Sequence, residues 1–240
     1  MTDRSLPDIH EIWVYLSGSP LLALILTLAS YQAGVWIYER SGRNPLANPV
    51  AIAVVLVATA ITLVDMPYAK YFEGAQFVHF LLGTATVALA VPIHRGLDEL
   101  RGRLVPLLAA LVAGGATSIA SAVLIARALG GDDTIVRAFY AKSVTAPIAM
   151  GVSERIHASP TLTAVFAITT GILGAVLARF VLDLVGSRAW WQRGFALGVA
   201  AHGIGTARAF SVNEEAGRFA GLAMGLHGIL GAVLLPWLFA

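Results

Sequence analysis

The sequence contains no cysteine, which excludes disulfides, thiolate catalysis and thiolate-bound metals. Charge is scarce as well: Asp, Glu, Lys and Arg make up only 12% of the 240 residues, about half the usual share of a soluble domain. The 16 basic and 14 acidic residues leave a formal charge of +2. No stripe of basic and aromatic side chains accompanies it, so the chain is not read as a nucleic-acid binder. Also missing are a GxxxxGK[ST] phosphate loop, an HExxH metal motif and a GxSxG elbow, and the apolar runs are poor in carboxylates. The expectation is therefore a non-enzyme with no cofactor and no metal, and without a proton path built from Asp and Glu.

What is present is hydrocarbon. The hydrophobic class reaches 58% and mean hydropathy is +0.78. Residues 12–38, 46–64, 74–93, 104–126 and 219–240 carry no charged side chain. A run of roughly 20 such residues crosses a hydrocarbon core of about 30 Å as a helix. The start "MTDRSLPDIHEIW" mixes acids with one arginine, unlike a cleaved signal peptide, so the first apolar run reads as retained. The expected fold is all-α, a polytopic membrane helix bundle of about eight segments forming one membrane domain over residues 1–240.

The segments read as 20–38, 47–64, 74–94, 104–129, 134–157, 160–185, 192–210 and 215–239. Their hinges follow turn chemistry. "RSGRNPLANP" supplies glycine, asparagine and two prolines; "LGGDDT" supplies a helix stop and then acids that suit a helix start; "HASPT" divides the fifth segment from the sixth. Arginines in short loops mark the cytoplasmic side. Arg40 with Arg43 and Arg95 with Arg101 and Arg103 agree, two crossings apart. Arg188 and Arg193 lie three segments further on, which would place them on the wrong face. Either the charge rule fails there, or a broken or re-entrant helix enters and leaves on one side, which would also accommodate inverted repeats. "LGTATVAL" around Gly83 and "IGTARAF" around Gly205 share Gly-Thr-Ala about half a chain apart, in keeping with such a repeat. "TVALAVP" against "SVTAPIA" is a competing pairing.

One of only two lysines, Lys142, stands in "AKSVTAPIAM", inside the fifth segment. An ammonium near mid-membrane is costly and normally faces a cavity or a partner. Pro147 disrupts the helical ladder, and Ser143 and Thr145 can bond the loosened backbone. A cation, two hydroxyls and exposed amides together suit a small carboxylate. The competing reading is a proline kink with Lys142 snorkelling to an interface.

"GTATVALAVP" repeats the pattern without the charge, through Gly83, Thr86 and Pro92. His79, on the same segment, is a candidate for proton coupling, against the plainer reading of a packed histidine. "AHGIGTARAF" brings His202, Thr206 and Arg208 within two turns, and Gly203 and Gly205 free the backbone to leave helical geometry. Arg208 could clamp a carboxylate bidentately or pair with Glu214 or Glu215. His202 is the second proton-coupling candidate. The glycines around His227 favour close helix packing and are compatible with a homodimer.

"LLGTATVALAVPI", "AKSVTAPIAMGVS", "TLTAVFAITTGILGA", "ALGVAAHGIGTARAF" and "GLAMGLHGILGAVLLP", in this order, resemble the LrgB/CidB family, which includes the bacterial YohK-type proteins. The resemblance covers nearly the whole chain from about Leu21. It implies a multi-pass protein of the bacterial inner membrane with one of two roles. One is antiholin-like modulation of murein hydrolase export and autolysis with a small LrgA/CidA-type membrane partner. The other is transport of a small monocarboxylate, as in the plastid members that carry glycolate and glycerate and in bacterial relatives associated with pyruvate. Lactate belongs to the same substrate class. The LrgA-like half of the plastid proteins is absent here, so the resemblance implies a separate partner. Thr84 stands where relatives have a proline, leaving one less break in that segment.

Overall fold

The structure, a computed structural model, describes residues 20–88, 91, 94 and 102–239. Among them are nine helices and no strand: α1 Pro20–Arg40, α2 Pro49–Leu63, α3 Tyr68–Ala88, α4 Leu104–Ala128, α5 Asp133–Ala138, α6 Ala146–Arg155, α7 Pro160–Leu184, α8 Trp190–Val212 and α9 Glu214–Phe239. The expected fifth segment is thus two helices, α5 and α6. Helices α1, α4, α7 and α9 are each long and apolar enough to cross a membrane. The chain is an all-α, multi-pass membrane protein.

The hinges use the chemistry their residues suggest. Asn48 caps α2, its Oδ1 accepting from the Val50 and Ala51 amides at 2.9 and 3.1 Å. Gly130, at φ +80°, ends α4, and Asp132 caps α5 by accepting from the Ile135 amide at 2.9 Å. Ser159 accepts from the Leu162 amide at the start of α7, where Pro160 occupies a position needing no donor.

The chain divides into two compact units, Met1–Ala85 and Thr86–Ala240. In the first, α1 packs on α2 and α3 through glycines. A side chain at Gly34 would strike the Pro49 backbone, and one at Gly74 would strike that of Pro20. Thr27 and Tyr71 share a hydroxyl hydrogen bond of 2.8 Å between α1 and α3, beside a small core of Ala23, Tyr71 and Ala75.

In the second unit, α7 buries only the stripe Thr163, Ala167, Gly171 and Ala175. Its other faces expose Leu173, Leu177, Phe180 and Leu184. In water such a surface would be a large apolar patch; in lipid it is the expected exterior, with small residues at the helix contacts.

Helix α8 does not cross. Its backbone breaks at Ala201 (φ −128°) and His202 (φ +40°), and the chain folds back on itself. A side chain at Gly205 would lie 2.8 Å from the carbonyl oxygen of Leu197, whereas eight residues of straight helix span about 12 Å. Leu197, Ala201 and Ala209 fall in one buried cluster with Ala216 and Ala220 of α9. The next helix confirms the return: Gly194 sits against Ala216 and Gly198 against Ala220, so α9 starts level with the start of α8. Helix α8 is therefore a re-entrant hairpin with both ends on one face.

The same geometry recurs at α5 and α6, inserted from the opposite side. Arg137 Nη1 donates to the Ile156 carbonyl at 3.0 Å, joining the descending arm to the end of the returning one. Ser153 donates to Thr163 at 2.6 Å, both fully buried, holding α6 against the start of α7. The two tips reach mid-depth. Lys142 bonds Ser118 near the middle of α4, while the α8 tip seats against Gly171 and Gly174 near the middle of α7.

This layout removes the arginine conflict. Arg103, at the start of α4, lies over the ring of Trp191, at the start of α8, at 4.9 Å. Arg103, Arg188 and Arg193 therefore share one face, because the α5–α6 segment enters and leaves without crossing.

Candidate functional site

The tip of the first hairpin runs from Phe139 to Thr145, without regular helix. Pro147 does not sit inside a kinked helix; it is in the first turn of α6, where its missing N–H costs nothing. Just before that turn, Lys142 Nζ donates to Ser118 Oγ at 2.7 Å and to Ser143 Oγ at 3.1 Å, and the two hydroxyls are 2.8 Å apart. No acidic side chain among the described residues is bonded to Lys142. An ammonium has three donors, so one remains beyond these two bonds. Lys142 and Ser118 line a cavity of about 390 Å³ with Thr170, Gly174 and Ala200 and with leucines of α7.

Thr145 is the N-cap of α6, yet its side chain makes no capping bond, and Oγ1 is buried without a hydrogen-bond partner. His227, on α9, is buried with Nδ1 likewise unpartnered. Its ring lies against Gly115, 3.1 Å from where a β-carbon would be. Buried polar atoms without partners are uncommon in native structures and invite an explanation.

The second tip is built from backbone geometry. His202 Nε2 lies 2.8 Å from the Ala167 carbonyl oxygen, which can only accept, so the ring proton of this pair sits on Nε2. Thr206 Oγ1 donates to the His202 carbonyl at 2.8 Å and contacts Met224 Sδ at 3.8 Å. Together these hold a non-glycine residue at positive φ, a conformation costing on the order of 1–3 kcal/mol. The expectation that Gly203 and Gly205 supply the break is corrected here: the non-helical residues are Ala201 and His202. Gly205 is needed for a different reason, since any side chain there would strike Ala201 and Leu197; Gly203 meets only Met224 Sδ, at 3.8 Å.

Of the residues singled out in the sequence, Lys142, Ser143 and Thr145 come together at the first tip, and His202 with Thr206 forms the second. Arg208 does not join them. The returning arm of α8 carries it into another cavity, of about 420 Å³, with Arg179, Arg188 and Arg193. Asp183 bonds Arg193 there at 2.6 Å and lies 3.9 Å from Arg179. Glu214 is 4.0 Å from Arg218. Gly83, Thr86 and His79 lie on α3 by backbone, but the surroundings of Gly83 and the side chains of Thr86 and His79 are outside what the structure describes, as is Pro92 altogether.

Sequence reasoning overlooked Ser118 and Thr170. Ser118 sits in "GGATSIASA", which reads as a small-residue packing stripe; the usable signal was a hydroxyl halfway along an uncharged crossing.

Residues 27–240 match the model of the LrgB-like family. The chain belongs to that family. Among its relatives, YxaC of Bacillus subtilis (strain 168) is 30% identical over 222 residues, covering 91% of this chain and 96% of its own length. YwbG of the same organism is 31% identical over 220 residues, 92% of this chain and 97% of that one. A relative named holin-like protein CidB, from Staphylococcus epidermidis (strain ATCC 12228 / FDA PCI 1200), is 28% identical over 217 residues, covering 90% and 94%. No solved structure matches.

Proposed function

We propose that this LrgB-like protein is a secondary transporter, or the transporting subunit of one, for a small monocarboxylate such as glycolate, glycerate, pyruvate or lactate. The observation that carries the reading is the pair of oppositely inserted hairpins whose tips reach mid-depth, with an ammonium at one tip. Opposed broken elements of this kind suit alternating access around a central site. Lys142 supplies the positive charge for a carboxylate. Ser118, Ser143 and Thr145 supply hydroxyls for its oxygens or for a hydroxy or keto group. His202 and Thr206 set the shape of the opposing tip, and His202 is the candidate for proton coupling. Thr86 and His79 stay in this proposal as sequence candidates. Arg208 belongs to it only as part of an electropositive mouth. The bacterial inner membrane is the proposed location, and a small LrgA/CidA-like membrane protein and a second copy of the chain are proposed partners.

The name of the CidB relatives favours a second reading, in which the chain modulates murein hydrolase export and autolysis with that partner. Uptake of radiolabelled glycolate, pyruvate and lactate into proteoliposomes separates the two. Transport predicts saturable uptake by the chain alone, or by the chain with its partner, that is lost in Lys142→Ala. No uptake from folded protein in either preparation would overturn it in favour of the second reading.

A further inference from the structure

The transport reading uses the cavity holding Arg208 only as an electropositive mouth, which leaves the rest of its composition without a role. Arg179, Arg188, Arg193 and Arg208 line it, and among its described lining residues Asp183 is the one carboxylate. Asp183 is engaged by Arg193, whose guanidinium also donates to the Ser187 carbonyl at 2.8 Å. The walls below are alanine and leucine side chains of α7 and α8. Trp190 stands at the rim with the Arg193 guanidinium 5.8 Å from its ring, and Trp191 pairs in the same way with Arg103. Tryptophan and arginine together mark the headgroup level of a bilayer. Beside the cavity, Leu184 and Val185 at the end of α7 are among the most exposed apolar residues, as lipid contact requires.

We propose that this cavity, at the mouth of the α8 hairpin, binds the phosphate headgroup of an anionic phospholipid, with an acyl chain along its apolar wall. Basic pockets between membrane helices on the arginine-rich face are suited to such headgroups, and guanidinium forks match phosphate oxygens. A free oxyanion would use the arginines but leave the apolar wall unused. The assignment is independent of the transport reading, because the site lies at one face and the Lys142 cluster at mid-depth.

The test is native mass spectrometry of the purified full chain in detergent, titrated with phosphatidylglycerol, cardiolipin or phosphatidylcholine and, separately, with inorganic phosphate. The expected result is selective retention of the anionic lipids, weakened roughly fivefold by each of Arg188→Gln and Arg208→Gln and unchanged by Arg127→Gln, an exposed arginine at the far end of α4. Thermal unfolding of each variant separates lost binding from lost structure, and Arg188, being exposed, is the variant least exposed to that ambiguity. Equal retention of phosphatidylcholine, or full retention by the double variant, would overturn the site. Saturable phosphate binding without lipid preference would overturn the lipid and leave a free oxyanion.

Discussion

The two re-entrant hairpins solve the same problem by different means. The α5–α6 hairpin turns through seven irregular residues, 139–145, and places an ammonium at its tip. The α8 hairpin turns within two residues, Ala201 and His202, and satisfies the break with a ring-to-carbonyl bond and a threonine hydroxyl. A loose turn leaves polar atoms open, including Thr145 Oγ1; a tight one consumes its own. The first is therefore the better candidate for a ligand, and the second for a rigid wall opposite it.

That contrast can be broken or sharpened experimentally. The largest effect is expected at Lys142, where replacement by alanine removes the charge and lowers uptake at subsaturating substrate by at least about thirtyfold. His202→Ala should cost far less in uptake driven by the substrate gradient alone, and more in thermal stability. Equal loss of uptake from both, in folded protein, would erase the distinction between ligand tip and wall. Next comes Ser118→Ala, which deprives the ammonium of its 2.7 Å acceptor and is expected to raise KM about tenfold with little change in maximal rate. An unchanged KM would remove Ser118 from the site. The smallest effect separates two glycines of one arm. Gly205→Ala forces a contact inside the hairpin and is expected to lower the melting temperature by about 5 °C, while Gly203→Ala, with only Met224 Sδ nearby, leaves it unchanged.

Much of this contrast follows legibility in the sequence. The first tip announced itself through a lysine, two hydroxyls and a proline in an apolar run, and the misplaced arginines of "GSRAWWQR" meant either that the charge rule fails there or that a segment enters and leaves on one side. The hinges at "LGGDDT" and "HASPT" were equally plain, because stopping and starting a helix is local chemistry. The second tip was placed a few residues late, on Gly203 and Gly205. Its position depends on Gly171 and Gly174 of α7 making room for His202 and Ala201, a tertiary fit with no local signature. Arg208 was grouped with His202 for the same reason: neighbours along the helix part when the arm turns back toward its own face.

The hairpins themselves are the claim on which the rest depends, and the absence of cysteine permits single-cysteine labelling with no background. Val185→Cys and Val212→Cys bracket α8, and Leu129→Cys and Glu154→Cys bracket the α5–α6 segment, all at exposed positions. With a membrane-impermeant maleimide, the account predicts that the first pair labels from one side of the membrane and the second pair from the other. Labelling of Val185→Cys and Val212→Cys from opposite sides would make α8 a crossing helix and contradict the account.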